Sequence, residues 1–258
     1  MNDRDYNAME GIRRSDLWKI KQSPLHFRWH MDHPEEPTPA LIFGRAMHKY
    51  LLEPETFRDE FAIAPSCDRR TKEGRRIYED FADSVGDREV LTLDDMERIG
   101  EMKRALIANE DVADLFVRII HTEKPFQWID VETREVCKVK ADAIIDWGND
   151  MKYIIDYKTT VSCADGAFER SVRKYGYDFQ AGMYVEGVNS AMLDYLGFIF
   201  IAQEKDPPYA SRVYWCDTGF IKRGIAEFHD LLRTYHECKE TNTWKGYESA
   251  DLYSEEWL

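Results

Sequence analysis

Tyr153-Ile154-Ile155-Asp156-Tyr157-Lys158 is the stretch on which the reading of this chain turns. Successive side chains of a strand leave opposite faces, so Ile155 and Tyr157 point one way while Asp156 and Lys158 point the other. The preceding run, Arg134 to Trp147, alternates in the same manner: Lys138, Lys140 and Asp142 share a face opposite Val139, Ala141 and Ala143. Between the two runs stands Gly148-Asn149-Asp150, residues that accept the positive φ of a hairpin turn. If the hairpin brings the polar faces into register, Asp142 comes beside Asp156 and Lys158. A D-x-K triplet alone is weak evidence, because an exposed salt-bridged strand contains the same residues. Its framing by Ile154 and Ile155 predicts instead a buried central strand, where charge is costly and its retention points to function.

Working outward, Lys124 to Asp130 reads as a strand before this pair, and Lys152 to Thr159 as the strand that carries the triplet. Helical segments follow at about Ala164 to Lys174 and Asp178 to Met192, then strands Tyr195 to Ala202 and Arg212 to Cys216. Ile221, Ile225, Phe228, Leu232 and Tyr235 mark the apolar face of a long closing helix. The first 120 residues read as mainly helical. Ser15 caps a short helix that stops before Pro24, and a polar stretch, His33 to Pro39, leads to a helix from Ala40 to Glu53. On that helix Leu41, Arg45, His48 and Leu52 share one face, and Gly44 leaves room for another backbone or a ligand. Arg69 to Gly86 predicts a charged surface helix, and Thr92-Leu-Asp-Asp begins another whose Met96, Ile99, Met102 and Leu106 repeat at helical spacing. The expected fold is mixed α/β, a central mixed sheet flanked by helices. The chain is read as one domain over residues 1–258: a helical portion at 1–120, a sheet-containing catalytic core at 121–240 and an aromatic tail at 241–258.

Composition narrows the function classes. Hydrophobic residues at 43% and charged ones at 33% suit a globular chain rather than a disordered one. No apolar run is long enough to span a bilayer, and the opening MNDRDYNAMEG lacks the pattern of a signal peptide, so the expectation is a cytoplasmic protein with no membrane partner. Cys67, Cys137, Cys163, Cys216 and Cys238 are scattered, without the grouping that zinc or iron–sulfur sites need, and read as reduced thiols. A net charge of −14 argues against a partner rich in phosphates unless a few basic residues line a local cleft or channel.

Two carboxylates and a lysine on adjoining strands suit metal-assisted hydrolysis of a phosphodiester. The acids hold Mg²⁺, which keeps several waters and needs few protein ligands, while the ammonium orients the nucleophile or offsets developing negative charge. This makes Asp142, Asp156 and Lys158 the candidate catalytic residues.

Four elements in order resemble the PD-(D/E)XK nucleases, and more closely the exodeoxyribonuclease VIII (RecE) and RecB nuclease-domain group of recombination exonucleases. They are Phe43-Gly44-Arg45-Ala46-Met47-His48, Lys140-Ala141-Asp142, Asp156-Tyr157-Lys158 and Gln180-Ala181-Gly182-Met183-Tyr184. Ala141 stands where the family name has proline, a position that varies among members. The resemblance implies a metal held by His48, Asp142 and Asp156 with the Tyr157 carbonyl as a candidate further ligand, Lys158 as catalytic lysine, and DNA contacts by Gln180 and Tyr184. It further implies Mg²⁺ as cofactor, with Mn²⁺ as a substitute. Arg45 is read equally as a phosphate contact or as a surface ion pair. Ser15, beside Arg13 and Arg14, lies where distant lambda-type relatives bind a 5′ phosphate, although plain helix capping is the safer reading. Trp244, Tyr247, Tyr253 and Trp257 suit base stacking or a subunit interface, and composition does not choose between them.

The expected activity is an exodeoxyribonuclease that digests one strand of linear duplex DNA, in the 5′-to-3′ direction, to leave 3′ tails for recombination. The resemblance implies a phage-type enzyme, double-stranded DNA ends as substrate, a single-strand annealing protein as partner, and a homo-oligomeric ring. A PD-(D/E)XK endonuclease and a catalytically inactive DNA-binding relative are the alternatives.

Overall fold

The computed structural model describes residues 3–34, 36–192 and 195–249. The chain begins with helices α1 (Asp3–Ala8), α2 (Arg14–Gln22), α3 (Pro24–Asp32) and α4 (Pro39–Leu52). A short 3-10 turn and α5 (Phe57–Glu60) lead into β1 (Phe61–Ile63), α6 (Lys72–Val85), β2 (Glu89–Leu91), α7 (Leu93–Ile107) and α8 (Glu110–Phe116). Then come β3 (Ile119–Ile129), β4 (Val136–Gly148), β5 (Met151–Thr160), α9 (Ala167–Tyr175), α10 (Tyr177–Met192), β6 (Tyr195–Glu204), β7 (Ser211–Cys216) and α11 (Thr218–Thr241).

The five strands β3 to β7 lie in sequence order in one sheet, with β1 and β2 in a small parallel pair of their own. All neighbours in the main sheet are antiparallel except β5 and β6, which need the α9–α10 crossover between them because parallel strands cannot be joined by a tight turn. The β4–β5 turn is the expected one: Gly148, Asn149 and Asp150 have φ of 89°, 52° and 59°.

Each face of the sheet is covered. On one side Val139, Ala141, Ile154, Phe198 and Phe200 pack with Leu17, Phe27, Phe168, Phe179, Met183 and Phe228 of the α2, α3, α9, α10 and α11 layer. On the other, Ala143, Ile145, Ile155, Tyr157, Ile199 and Ile201 pack with Phe43, Met47, Ile99, Met102 and Leu115 of α4, α7 and α8. Burying β5 on both faces gives it the nearly continuous apolar character of a central strand. The mixed α/β architecture is therefore the expected one.

Three local expectations are corrected. Helix α2 begins after Arg13, not at Ser15: the Asp16 carboxylate reaches back to the Arg13 backbone N–H at 3.0 Å, and Ser15 is an exposed residue of the first turn. Helix α2 does stop before Pro24, at Gln22, but a further helix, α3, opens at Pro24 with Ser23 as cap, since proline costs nothing at a position whose N–H has no helical partner. On β4 the alternation slips, for Ala141 belongs to one core and Ala143 to the other. The β3–β4 register itself does not shift there, since Thr122 faces Ala143 and Lys124 faces Ala141; between them Glu123 has a φ of 45°, and the register shift of this pair of strands lies between Ile119 and His121. Two further departures concern single residues. A Cβ on Gly44 would meet nothing within 4 Å, so no backbone approaches it, whereas Gly182 is the close-contact glycine: its Cβ would lie 2.2 Å from the Gly224 backbone, which lets α10 seat on α11.

Candidate active site

The β4–β5 ladder runs from Gly148↔Met151 to Ala143↔Ile155 and stops. Beyond it the next pair would be Asp142 and Asp156. Instead the Asp142 side chain takes over the role of the ladder, its Oδ2 accepting the backbone N–H of Tyr157 at 3.0 Å. The opening formed where the strands part holds the polar residues.

His48 enters from α4, its Nδ1 3.2 Å from Asp142 Oδ2 and its ring 5.2 Å from that of Tyr157, edge to face. Asp156, only 1% exposed, points toward the opposite layer, where Gln180 of α10 donates from Nε2 to Oδ1. The Lys158 ammonium lies 2.6 Å from Asp156 Oδ2, yet off the direction of a well-formed hydrogen bond, so that this oxygen is held by charge alone. Tyr177 lies under the same ammonium, 5.2 Å from ring centre to Nζ. Tyr184, one turn after Gln180, stands edge-on to Phe198 at 6.2 Å, and burial, followed by the nearby Asp156 carboxylate, pushes its hydroxyl pKa well up.

Electrostatics mark Asp142. Burial above all, with the neighbouring charges of Asp156 and Glu123 adding to it against the opposing effects of His48 and Lys158, pushes its pKa up to about 7. A carboxyl so placed has too little positive charge around it in the protein alone. The donors, an imidazole nitrogen with carboxylate oxygens, fit a divalent cation.

The structure adds a residue that the sequence reading passed over. Glu123, 7% exposed, offers a carboxylate whose oxygen lies with His48 and Asp142 in a group of ligand atoms all within 4.8 Å of one another. Lys140 Nζ lies 2.5 Å from the Glu123 carboxylate. Its backbone conformation is one that a non-glycine residue rarely adopts, which is often a mark of a functional position. The available signal was an acid at the point where helical periodicity gives way to strand periodicity.

Of the other expected residues, Arg45 is engaged by Glu89 rather than aimed into the opening. Ser15 is exposed, while its neighbour Arg14 turns inward across Trp18 and Phe179, donates to the Tyr175 and Gly176 carbonyls and feels the charges of Tyr184 and Asp156; burial lowers its pKa. Lys138 is structural, spending its ammonium on the carbonyls of Tyr6, Asn7 and Met9. Trp244 stacks on Phe27 within its own chain, and Tyr247 is 73% exposed beside His26. Tyr253 and Trp257 lie outside the described residues. All five cysteines are unpaired thiols.

Residues 14–256 match the family described as PDDEXK-like domain of unknown function (DUF3799). The chain belongs to this family. The match spans both layers and every element of the site, and it makes the protein a member of the PD-(D/E)XK nuclease superfamily, a class generally dependent on divalent metal. A solved structure of a "putative exonuclease" from Eubacterium rectale superposes on this PDDEXK-like domain with a TM-score of 0.64, covering 97% of the chain and 91% of that protein at 12% identity. At that identity the likeness is one of fold. The solved structure of SSO0001 covers 83% of the chain and 84% of its own at 16% identity, but its TM-score of 0.30 carries no argument. No curated protein sequence matches the chain. No helix among the described residues is long and apolar enough to cross a membrane.

Proposed function

We propose that this PDDEXK-like domain is a Mg²⁺-dependent exodeoxyribonuclease, with Mn²⁺ as a substitute, that digests one strand of linear duplex DNA 5′-to-3′ to leave 3′ single-stranded tails for recombination. The observation that supports the reading is the end of the β4–β5 ladder, beside which stand Asp142 with His48 and Glu123 on one side and Asp156 with Lys158 and Gln180 on the other. His48, Asp142, Asp156 and the Tyr157 carbonyl would hold the metal, with Glu123 beside them. When bound, the ion would polarise the scissile phosphate and lower the pKa of a water.

The protein side chains do the rest. Asp142 ties the Tyr157 backbone to the site, so the two strands cannot close over it. Gln180 donates to one oxygen of Asp156, and the other faces the Lys158 ammonium. Lys158, already next to Asp156, is within reach of a nucleophile or a non-bridging phosphate oxygen there, and its charge offsets the negative charge that develops in the transition state. Arg14, Gln180 and Tyr184 line the α2 and α10 side, where the DNA strand would be positioned.

The exonuclease choice rests on the resemblance to the RecE and RecB group and on the fold of the Eubacterium rectale protein. The same reading includes a homo-oligomeric ring, by which a chain of net charge −14 could enclose duplex DNA, and a single-strand annealing protein as partner. Blunt linear, nicked and closed circular DNA incubated with Mg²⁺ test it. Loss of the linear form alone is expected; equal loss of the circle would make the enzyme an endonuclease, and survival of all three would make it an inactive DNA-binding relative.

A further inference from the structure

Helix α6 contributes nothing to either core. Of its fourteen residues only Gly74 is buried, and none belongs to the two hydrophobic clusters or to the residues packed against them. It rises, with the loop before it, between β1 and β2, which pair with each other at the foot: Phe61↔Glu89 to Ile63↔Leu91. That foot stands beside the candidate active site. Phe61 and Leu91 share a core with Phe43 and Met47 of α4, and Glu89 takes the guanidinium of Arg45, which is three residues from His48 on the same helix. The chain therefore leaves the region of the metal-binding helix, builds an arm and comes back.

The arm from Asp68 to Val85 balances five basic residues against five acids, but all five basic ones fall at its start. Arg69-Arg70-Thr71-Lys72-Glu73-Gly74-Arg75-Arg76 holds five basic side chains against one acid, in a protein of net charge −14. All five are exposed. Arg70 pairs with Asp68 and Arg76 with Glu73, but Arg69, Lys72 and Arg75 form no ion pair among the described residues. The backbone beneath them is tied by local contacts even though it is not buried. Thr71 caps α6 by accepting the Gly74 N–H at 2.9 Å and donates to the Asp68 carbonyl at 2.9 Å. The Asp68 carbonyl fills the space where a side chain at Gly74 would begin, 2.1 Å from its Cβ, and the Arg69 guanidinium rests on the Tyr78 ring at 4.0 Å. A basic cluster at the exposed start of the arm, outside both hydrophobic clusters and rooted beside the candidate active site, matches a polyanion in charge.

We infer that the Asp68–Val85 arm docks on the phosphate backbone of the duplex being cut, through Arg69, Lys72 and Arg75, at a distance from the scissile bond. This rests on the nuclease reading and adds a contact surface to it. Phosphate contacts position a duplex without reading its sequence, and each one adds about 0.9 to the slope of log affinity against log salt.

The test compares Arg69→Gln/Lys72→Gln/Arg75→Gln with its parent, both carrying Lys158→Ala so that the duplex survives, by fluorescence anisotropy of a labelled blunt duplex across a salt series. The triple substitution should weaken binding roughly tenfold or more near 0.1 M salt and flatten the salt slope by about 2 to 3. Lysine at positions 69 and 75, with Lys72 kept, should restore most of the affinity, and Mn²⁺ affinity by calorimetry should not change. Unchanged duplex affinity and slope in the triple variant, while wild-type protein binds and cleaves duplex DNA, would overturn the arm alone. Absence of duplex binding and cleavage by the wild-type protein would overturn the nuclease reading with it. Ile77→Asp/Phe81→Asp probes the partly exposed apolar stripe of the same helix. If that change lowers the mass in light scattering while the triple variant keeps full duplex affinity, the arm is a contact between copies of the chain and the inference fails.

Discussion

The two ends of the β4–β5 hairpin are built from the same two strands and behave oppositely. From Gly148↔Met151 to Ala143↔Ile155 the strands pair residue by residue, with Ile144, Ile145, Ile154 and Ile155 all at most 2% exposed. One residue further, at Asp142 and Asp156, the pairing ends and charged groups take the place of apolar ones. The closed end acts as an anchor. Its burial, on the order of 2 kcal/mol for each large aliphatic side chain, holds the backbone against the cost of keeping charge inside the protein at the open end. Stability and chemistry are thus separated by a single step along the strand, and substitutions on either side of it should have distinct consequences.

The largest effect belongs to the open end. Asp142→Ala or Asp156→Ala should lower DNA cleavage by roughly 10³-fold or more and abolish calorimetric binding of Mn²⁺, because each removes a charged oxygen from a site with few. His48→Ala should do less damage. Retained metal binding in both aspartate variants would mean that the ion sits elsewhere. At the closed end, Ile154→Ala should cost about 2–5 kcal/mol in urea unfolding and leave the metal affinity of the folded protein unchanged. A loss of metal affinity without a loss of stability would erase the distinction between the two ends.

Glu123 sharpens it further. Removing its charge by Glu123→Gln should weaken Mn²⁺ binding by about 10–100-fold, the range expected of a supporting ligand, with little change in the urea midpoint. Unaltered affinity would reduce Glu123 to the partner of Lys140. The raised pKa of Asp142 gives a pH signature with a definite sign. A carboxyl whose folded pKa stands near 7 stays protonated in the metal-free protein while the unfolded chain ionises near 4, so stability should fall as pH rises between those values and level off above about 7. Metal must displace that proton, so Mn²⁺ affinity should rise with pH up to about 7 and then flatten. Asp142→Asn, compared by thermal melts without metal, should remove the decline in stability.

Gln180→Ala should act more mildly, weakening cleavage by about tenfold, the worth of one hydrogen bond to a charged group, while the fold remains. Wild-type activity in that variant and in Tyr184→Ala would remove α10 from the site.

What could be read beforehand follows the range of the forces involved. The hairpin was legible because its signals are local: alternating hydrophobicity, two isoleucines before Asp156, and turn residues suited to positive φ. The Gln180 to Tyr184 turn was legible through family resemblance, but the part played by Gly182 was not, since its contact is with Gly224 on a distant helix. Glu123 and the slip at Asp142 escaped for a related reason. Ideal alternation predicts a continuous ladder, whereas the β4–β5 pairs stop at Ala143↔Ile155 and the Asp142 side chain takes the next backbone N–H. Helix α3 escapes the sequence because Pro24, which marks the end of α2, is after a capping serine equally good as the start of another helix.

The central claim is that Lys158 serves the chemistry and not the structure of the opening. Calorimetric titration of Lys158→Ala with Mn²⁺, run beside a linear-duplex degradation assay, tests it most directly. The account predicts a steep fall in cleavage, roughly 10²–10³-fold, with metal affinity kept or increased, because an ammonium beside divalent ions repels them and its stabilising role is in the transition state. Normal cleavage by this variant would contradict the account and leave Asp156-Tyr157-Lys158 as an ion-paired strand.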